Sequence, residues 1–200
     1  PERKLQKLLW YKLPENEREF RMEQDIARVL YSEEYLKEIV QKIGRQISED
    51  YKGKNLLMVS VLKGSVVFMA DLMRAVTIPC SIDFMSVSSY GSGTKTSGVV
   101  RILKDLDNDL NGKDLLLVED ILDSGMTLSY IREMLQQRNP SSIKLCTLFD
   151  KPERRSVDIQ ADYSGICVPD EFIVGYGLDY DEKYRNLPYV GVLKPEVYSK

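Results

Sequence analysis

The 200-residue sequence predicts an α/β fold: a parallel β-sheet flanked by helices, with a small C-terminal/N-terminal hood over it. Three observations lead there. Short, nearly all-apolar runs recur along the chain, as expected of strands buried on both faces. Segments with helical apolar spacing separate them. Strand, helix and strand in succession form a βαβ unit, which calls for a parallel sheet.

The elements follow in order. Residues 1–21 combine an apolar cluster (Leu5, Leu8, Leu9, Trp10, Leu13) with Pro14 and a charged run, and read as an N-terminal extension of a domain spanning 22–200. Ser32 precedes Leu36, Ile39, Val40, Ile43, Ile47 and Tyr51, one apolar stripe of a helix with Ser32 as its cap. NLLMVSVL (55–62) is a buried strand broken by Lys63-Gly64. Residues 65–76 read as a helix with Val66, Met69, Ala70 and Met73 on its packed side. Pro79 opens a second strand, CSIDFMSV. SSYGSGTKTSG (88–98) is a polar, glycine-bearing loop, and 99–103 a short strand. DLLLV (114–118) is a third buried strand, 127–137 a helix and SIKLCTLF (142–149) a fourth strand. The core is expected over about 32–150. Beyond Lys151, short strands and prolines (Pro152, Pro169, Pro188, Pro195) suggest the hood, mainly 151–200. Ligands are expected where loops leave the C-terminal ends of the strands.

Composition narrows the chemistry. There are 28 basic and 31 acidic residues, a net charge of −3, so a general nucleic-acid binder is not expected. The chain has no histidine, which excludes a Ser-His-Asp triad, a Cys-His pair and an HExxH zinc site within it. Proton transfer near neutrality must use a carboxylate, Lys, Tyr, Cys or water. Cys80, Cys146 and Cys167 are far apart and form no CxxC pair; each lies in an apolar stretch and reads as a buried free thiol suited to a reducing, cytoplasmic setting. No run of about 18 apolar residues occurs, so no membrane span is expected. The charged N-terminal stretch lacks the apolar region of a secretion signal.

The strongest chemical signal is LLLVEDILDSGMTL (115–128). A buried strand ends in two adjacent carboxylates, Glu119 and Asp120. Asp123, Ser124, Gly125 and Thr127 follow as a helix begins. A glycine turn at a helix N-terminus offers unpaired backbone N–H groups and a positive dipole end, a cradle for phosphate. Carboxylates beside a phosphate make sense when a divalent cation or sugar hydroxyls lie between them. The competing reading is a helix capped by Asp123 or Ser124 with acidic surface neighbours. No GxxxxGK[ST] loop is present.

This signature resembles the phosphoribosyl-diphosphate-binding motif of type I phosphoribosyltransferases. LKGS (62–65), SSYGSGTKTSG (88–98), LFDKPERR (148–155) and VPDEFIVGYGLDYDEKYRNLPYVGVLKPEVY (168–198) resemble one branch, the bacterial hypoxanthine (hypoxanthine-guanine) phosphoribosyltransferases. The resemblance runs from about residue 24 to the C-terminus.

The resemblance implies transfer of a phosphoribosyl group from phosphoribosyl diphosphate to hypoxanthine, and guanine, giving IMP or GMP and pyrophosphate. The 5′-phosphate would sit on the N–H groups of Asp123, Ser124, Gly125, Met126 and Thr127. Glu119 and Asp120 would face the ribose and a magnesium ion (Mg2+), and Asp179 would supply a further metal ligand. Lys63, Gly64 and Arg185 would hold pyrophosphate. In the family the bond before this lysine is cis; here that is Leu62-Lys63. Asp123 would be the general base, the role a chain without histidine leaves to a carboxylate. Lys151 would donate to the purine O6, Phe172 would stack on the base, and the backbone of Glu171 and Ile173 would meet its edge. Ser88, Ser89 and Tyr90 would begin a mobile loop that closes over the reaction centre. The resemblance also implies a homodimer or homotetramer.

Two rival readings stand beside it. One is a xanthine-preferring transferase, since sequence places no donor for a 2-oxo group. The other is a non-catalytic phosphoribosyl-diphosphate sensor that binds nucleic acid. Against the sensor, every candidate catalytic position carries a competent residue and there is no basic excess.

Overall fold

The computed structural model describes residues 22–89 and 100–199. The extension 1–21, Tyr90 and the rest of the 90–98 loop lie outside the described residues. Among the described residues the elements are β1 (Ile26–Tyr31), α1 (Glu33–Asp50), β2 (Leu56–Leu62), α2 (Val66–Ala75), β3 (Ser81–Ser89), β4 (Val100–Lys104), β5 (Asp114–Leu122), α3 (Met126–Gln136), β6 (Ser142–Asp150), β7 (Tyr163–Cys167), β8 (Ile173–Val174), β9 (Val190–Leu193) and α4 (Pro195–Tyr198). A six-stranded sheet runs β4-β3-β2-β5-β6-β7, and a three-stranded sheet runs β1-β9-β8. In the large sheet only β4 is antiparallel.

The buried strands divide their side chains between two cores by simple alternation. Leu56 and Met58 of β2, with Leu116 and Val118 of β5, face α1 and α2. Leu57, Val59 and Val61, with Leu115 and Leu117, face α3 through Leu128, Ile131 and Leu135. Both faces are therefore covered by helices, which is why these strands are apolar without interruption. Ser32 caps α1 as expected: its side chain accepts from the Tyr35 N–H at 3.3 Å. Leu36, Val40, Ile43, Ile47 and Tyr51 are buried along one stripe.

Four expectations change. The packed side of α2 is Phe68, Met69, Leu72 and Ala75, whereas Val66 and Met73 are 40% and 37% exposed. Its sequence, VVFMADLMRA, is apolar almost all round, so spacing alone does not select a face. Ser88 and Ser89 are ladder residues, opposite Arg101 and Val100, because β4 supplies their backbone with partners. The main sheet reaches beyond residue 150, since β7 adds to it in parallel beside β6. Cys146 is buried, but Cys80 is half-buried and Cys167, on the edge strand β7, is exposed.

The hood joins both ends of the described chain. β1 pairs with β9, and the Tyr184 hydroxyl donates to Asp25 at 2.7 Å. The Tyr176 hydroxyl reaches down to Asp71 on α2 at 2.5 Å, tying the hood to the core. No helix among the described residues is long and apolar enough to cross a membrane.

A buried carboxylate fixes the far side of the sheet. Asp83 on β3 is 4% exposed. It accepts from the backbone N–H groups of Phe84, Asp107 and Asn108 and from the Asn108 amide at 2.7–2.9 Å. Burial works to raise its pKa, but these bonds outweigh it and hold the carboxyl below the usual value. A depressed folded pKa stabilises fully above the unfolded value of about 3.9 and is lost as pH falls through the folded one. Stability of the native chain should therefore fall more steeply than that of Asp83→Asn below about pH 4. At pH 7 the variant should lose about 1–3 kcal/mol, read from urea unfolding midpoints.

Candidate active site

The site lies where the sheet changes direction. α2 carries the chain from β2 outward to β3, and α3 carries it from β5 the opposite way to β6. The two crossovers part between the neighbouring strands β2 and β5, leaving a crevice beyond their C-terminal ends. A cavity of 380 Å³ opens there, lined by Lys63, Gly64, Glu119, Asp120, Ser124 and Thr127 among others. A second cavity of 690 Å³ lies under the hood, lined by Lys151, Glu171, Phe172, Ile173 and Asp179 among others. Asp120, Ile121 and Asp123 line both, so the two are lobes of one cleft.

The turn into α3 is shaped by a glycine. Gly125 is the N-cap, with φ +81° and no side-chain cap bond, so neither Asp123 nor Ser124 caps the helix. A Cβ at Gly125 would lie 2.4 Å from Ile159 Cγ2, so the position demands glycine for space as well as for φ. The outward carbonyls are occupied. Arg155 donates to the Asp123 carbonyl, and the Ser156 backbone N–H and hydroxyl donate to that of Ser124 at 3.0 and 3.1 Å. The helix begins with Ser129 N–H to the Gly125 carbonyl at 2.9 Å. The first N–H groups of any helix lack intrahelical acceptors, and with the dipole they favour an anion.

Two acids overlook this turn. Desolvation pushes the Glu119 carboxyl well above its usual pKa, and Asp120 beside it pushes further, with the Ser65 hydroxyl opposing. Desolvation raises Asp120 to about 6 against the Ile121 N–H, which donates to it at 2.8 Å; Arg185 lowers it and Asp179 raises it. Asp120 rests on the β2 turn: a Cβ at Gly64 would come 1.8 Å from its Oδ2. The Leu62–Lys63 peptide is cis. Oxygen-only donors, adjacent and desolvated, fit a hard divalent cation. No group of three metal-ligating side chains occurs among the described residues. Magnesium is commonly bound through one or two carboxylates, with waters and substrate phosphate oxygens completing its shell.

Cations edge the cleft. Arg185 pairs with Asp179 at 2.9 Å and donates to the Gly177 carbonyl at 2.8 Å; Lys63 pairs with Glu182 at 3.1 Å. In the hood lobe Lys151 is only 6% exposed. Its Nζ donates to the Glu171 carbonyl at 2.9 Å and stands 3.6 Å from Asp170. Arg28 of β1 clasps the Glu171 carboxylate, with Nη2 at 2.5 and 2.7 Å from its two oxygens. Phe172 is 38% exposed and Ile173 is buried.

The sequence candidates therefore gather into one cleft, with three exceptions. Met126 lines neither lobe. Arg185 lines a separate cavity with Tyr176 and Asp71, touching the cleft through Asp179. Ser88 and Ser89 sit in β3, and Tyr90 lies outside the described residues. Sequence reasoning missed Arg28, Arg155, Ser156 and Tyr198. The Arg-Arg-Ser run after Lys151 was a signal for two of them; Arg28 and Tyr198 have no local signature.

Comparisons with known proteins identify similar sequences and structures. The phosphoribosyl transferase domain profile matches residues 30–181. A hypoxanthine-guanine phosphoribosyltransferase of Streptococcus thermophilus is 56% identical over 179 residues, covering 90% of this chain and 99% of the relative. The bifunctional protein TilS/HprT of Listeria monocytogenes is 54% identical over 179 residues, 90% of this chain and 28% of that protein. The crystal structure of a hypoxanthine phosphoribosyltransferase from Staphylococcus aureus matches with a TM-score of 0.88 at 52% identity, covering 90% of this chain and 97% of that one.

Gly125→Ala should cost about 1–2 kcal/mol from the left-handed backbone alone, and more from the Ile159 contact. Urea unfolding tests this, and an unchanged midpoint would contradict the account of the turn.

Proposed function

The chain belongs to the phosphoribosyl transferase domain family, and from that premise we propose that it moves the 5-phosphoribosyl group of phosphoribosyl diphosphate onto hypoxanthine or guanine. IMP or GMP and pyrophosphate are the products, so the enzyme works in purine salvage. The single observation that carries the reading is the two-lobed cleft. Asp120 and Asp123 stand at its waist between the anion-accepting turn and the pocket holding Lys151 and Phe172.

The turn at 123–127 takes the 5′-phosphate on its N–H groups, with the Ser124 and Thr127 hydroxyls beside them. Glu119 and Asp120 hold the ribose hydroxyls and, with Asp179, would bind magnesium. Held there, magnesium would supply positive charge opposite the departing pyrophosphate. Lys63, the Gly64 N–H and Arg185 provide further positive potential for it.

The purine lies in the hood lobe against Phe172. Lys151 donates to O6, a group that adenine replaces with an amino donor. Its bond to the Glu171 carbonyl and its burial keep the ammonium aimed rather than solvated. The backbone of Glu171 and Ile173 meets the rest of the base edge. As N9 attacks the anomeric carbon, Asp123 accepts the proton from N7. The nearby carboxylates stabilise positive charge developing on the sugar. The loop beginning at Ser88, Ser89 and Tyr90 closes over the centre and keeps water from the sugar cation. We further assign a cytoplasmic homodimer or homotetramer, with 22–200 as the transferase domain and 1–21 as an extension.

Steady-state assays of hypoxanthine, guanine, xanthine and adenine test the reading. Hypoxanthine should exceed adenine in kcat/KM by about 10⁴-fold, because adenine would set donor against donor at Lys151. Comparable turnover of adenine would overturn the Lys151 assignment. Asp123→Asn should lower kcat by about 10²-fold or more with hypoxanthine KM little changed. Retention of most of the native kcat would remove Asp123 from the base role.

A further inference from the structure

Phe172 carries the purine in the reading above, yet the residue is 38% exposed. An exposed phenyl ring on an open pocket wall samples several rotamers unless something holds it. Two tyrosines do. Tyr198 lies on one face of Phe172, with centroids 4.9 Å apart and planes 20° from parallel. Tyr180 meets it edge-on at 5.5 Å and 90°.

Tyr198 is itself held in register with Phe172. The Leu193 N–H donates to the Phe172 carbonyl at 2.9 Å, and the next residue's N–H donates to the Asp25 carbonyl at 2.9 Å. Pro195 then opens the helical turn, closed by Val197 N–H to Lys194 and Ser199 N–H to Pro195, that delivers the Tyr198 ring. Both rings line the hood lobe. Tyr198 thus covers one face of Phe172 and Tyr180 meets it edge-on, while Phe172 and Lys151 line the same cavity.

We propose that Tyr198 is a positioning residue for the base: it backs Phe172 and fixes that ring as a preformed stacking platform for the purine. The proposal rests on the assignment of Phe172 as the stacking residue. The ring of Tyr198, not its hydroxyl, does the work, and it acts through Phe172 without touching the purine. A ring already ordered before binding loses less freedom when the base arrives, so the effect falls on purine affinity. The chemistry at the sugar and the grip on phosphoribosyl diphosphate lie in the other lobe and are not affected.

The test measures KM for hypoxanthine, KM for phosphoribosyl diphosphate and kcat in Tyr198→Ala, Tyr198→Leu, Tyr198→Phe and Phe172→Ala. Losing one aromatic stack should raise hypoxanthine KM roughly three- to tenfold in Tyr198→Ala, with the other two parameters within about twofold. Tyr198→Leu, which keeps apolar bulk for folding, should behave like Tyr198→Ala; Tyr198→Phe should restore the native KM. Unchanged hypoxanthine KM in both the Ala and Leu variants, with Phe172→Ala impaired, overturns the role of Tyr198 and leaves the base site intact. Tighter hypoxanthine binding in Tyr198→Ala also overturns it, because Tyr198 would then occupy the purine's own place. A Phe172→Ala enzyme with native hypoxanthine KM removes the stacking assignment, and this proposal with it.

Discussion

Two neighbouring carboxylates, Glu119 and Asp120, are desolvated at the end of β5, and burial raises the pKa of both. Burial of a like-charged pair is unfavourable unless a cation or hydrogen-bond donors compensate. The surroundings supply compensation from every side. The Ile121 N–H and the Ser65 hydroxyl oppose the rise in pKa, Arg185 lies within electrostatic reach, and the positive end of α3 begins a few residues on. In the proposed function, magnesium and the sugar diphosphate would complete that balance. The topology explains why the pair sits there: the switch point between β2 and β5 opens a crevice at the strand ends.

The hood solves a different problem. A purine reader must be polar enough to recognise O6 and dry enough for that bond to discriminate. In the proposed role Lys151 would meet both demands, since its side chain is buried and its ammonium donates to the Glu171 carbonyl. Arg28 then pairs with the Glu171 carboxylate from β1, so the first described strand supports a pocket lined mostly by residues after Lys151. The Tyr184 hydroxyl ties the hood to Asp25, the residue just before that strand.

Legibility in the sequence followed distance along the chain. The 119–127 run was readable because strand, acids, glycine and helix start are contiguous and each has a local signature. The buried strands and the Ser32 cap were readable for the same reason. The face of α2 was not, because an all-round apolar helix takes its orientation from its neighbours. Lys151 reads as a surface lysine before a proline; only the hood, placed 20 residues later in Glu171, buries it. Its candidacy came from the family resemblance alone, as did that of Phe172. Arg28 and Tyr198 lie near opposite ends of the described chain, and no spacing within either segment announces that they meet around one pocket.

The most direct measurement is a crystal structure of the protein with IMP, magnesium and pyrophosphate. The account predicts the 5′-phosphate on the backbone N–H groups of 123–127, the ribose against Glu119 and Asp120, and the purine on Phe172 with O6 at Lys151. A nucleotide whose phosphate binds away from that turn would contradict it.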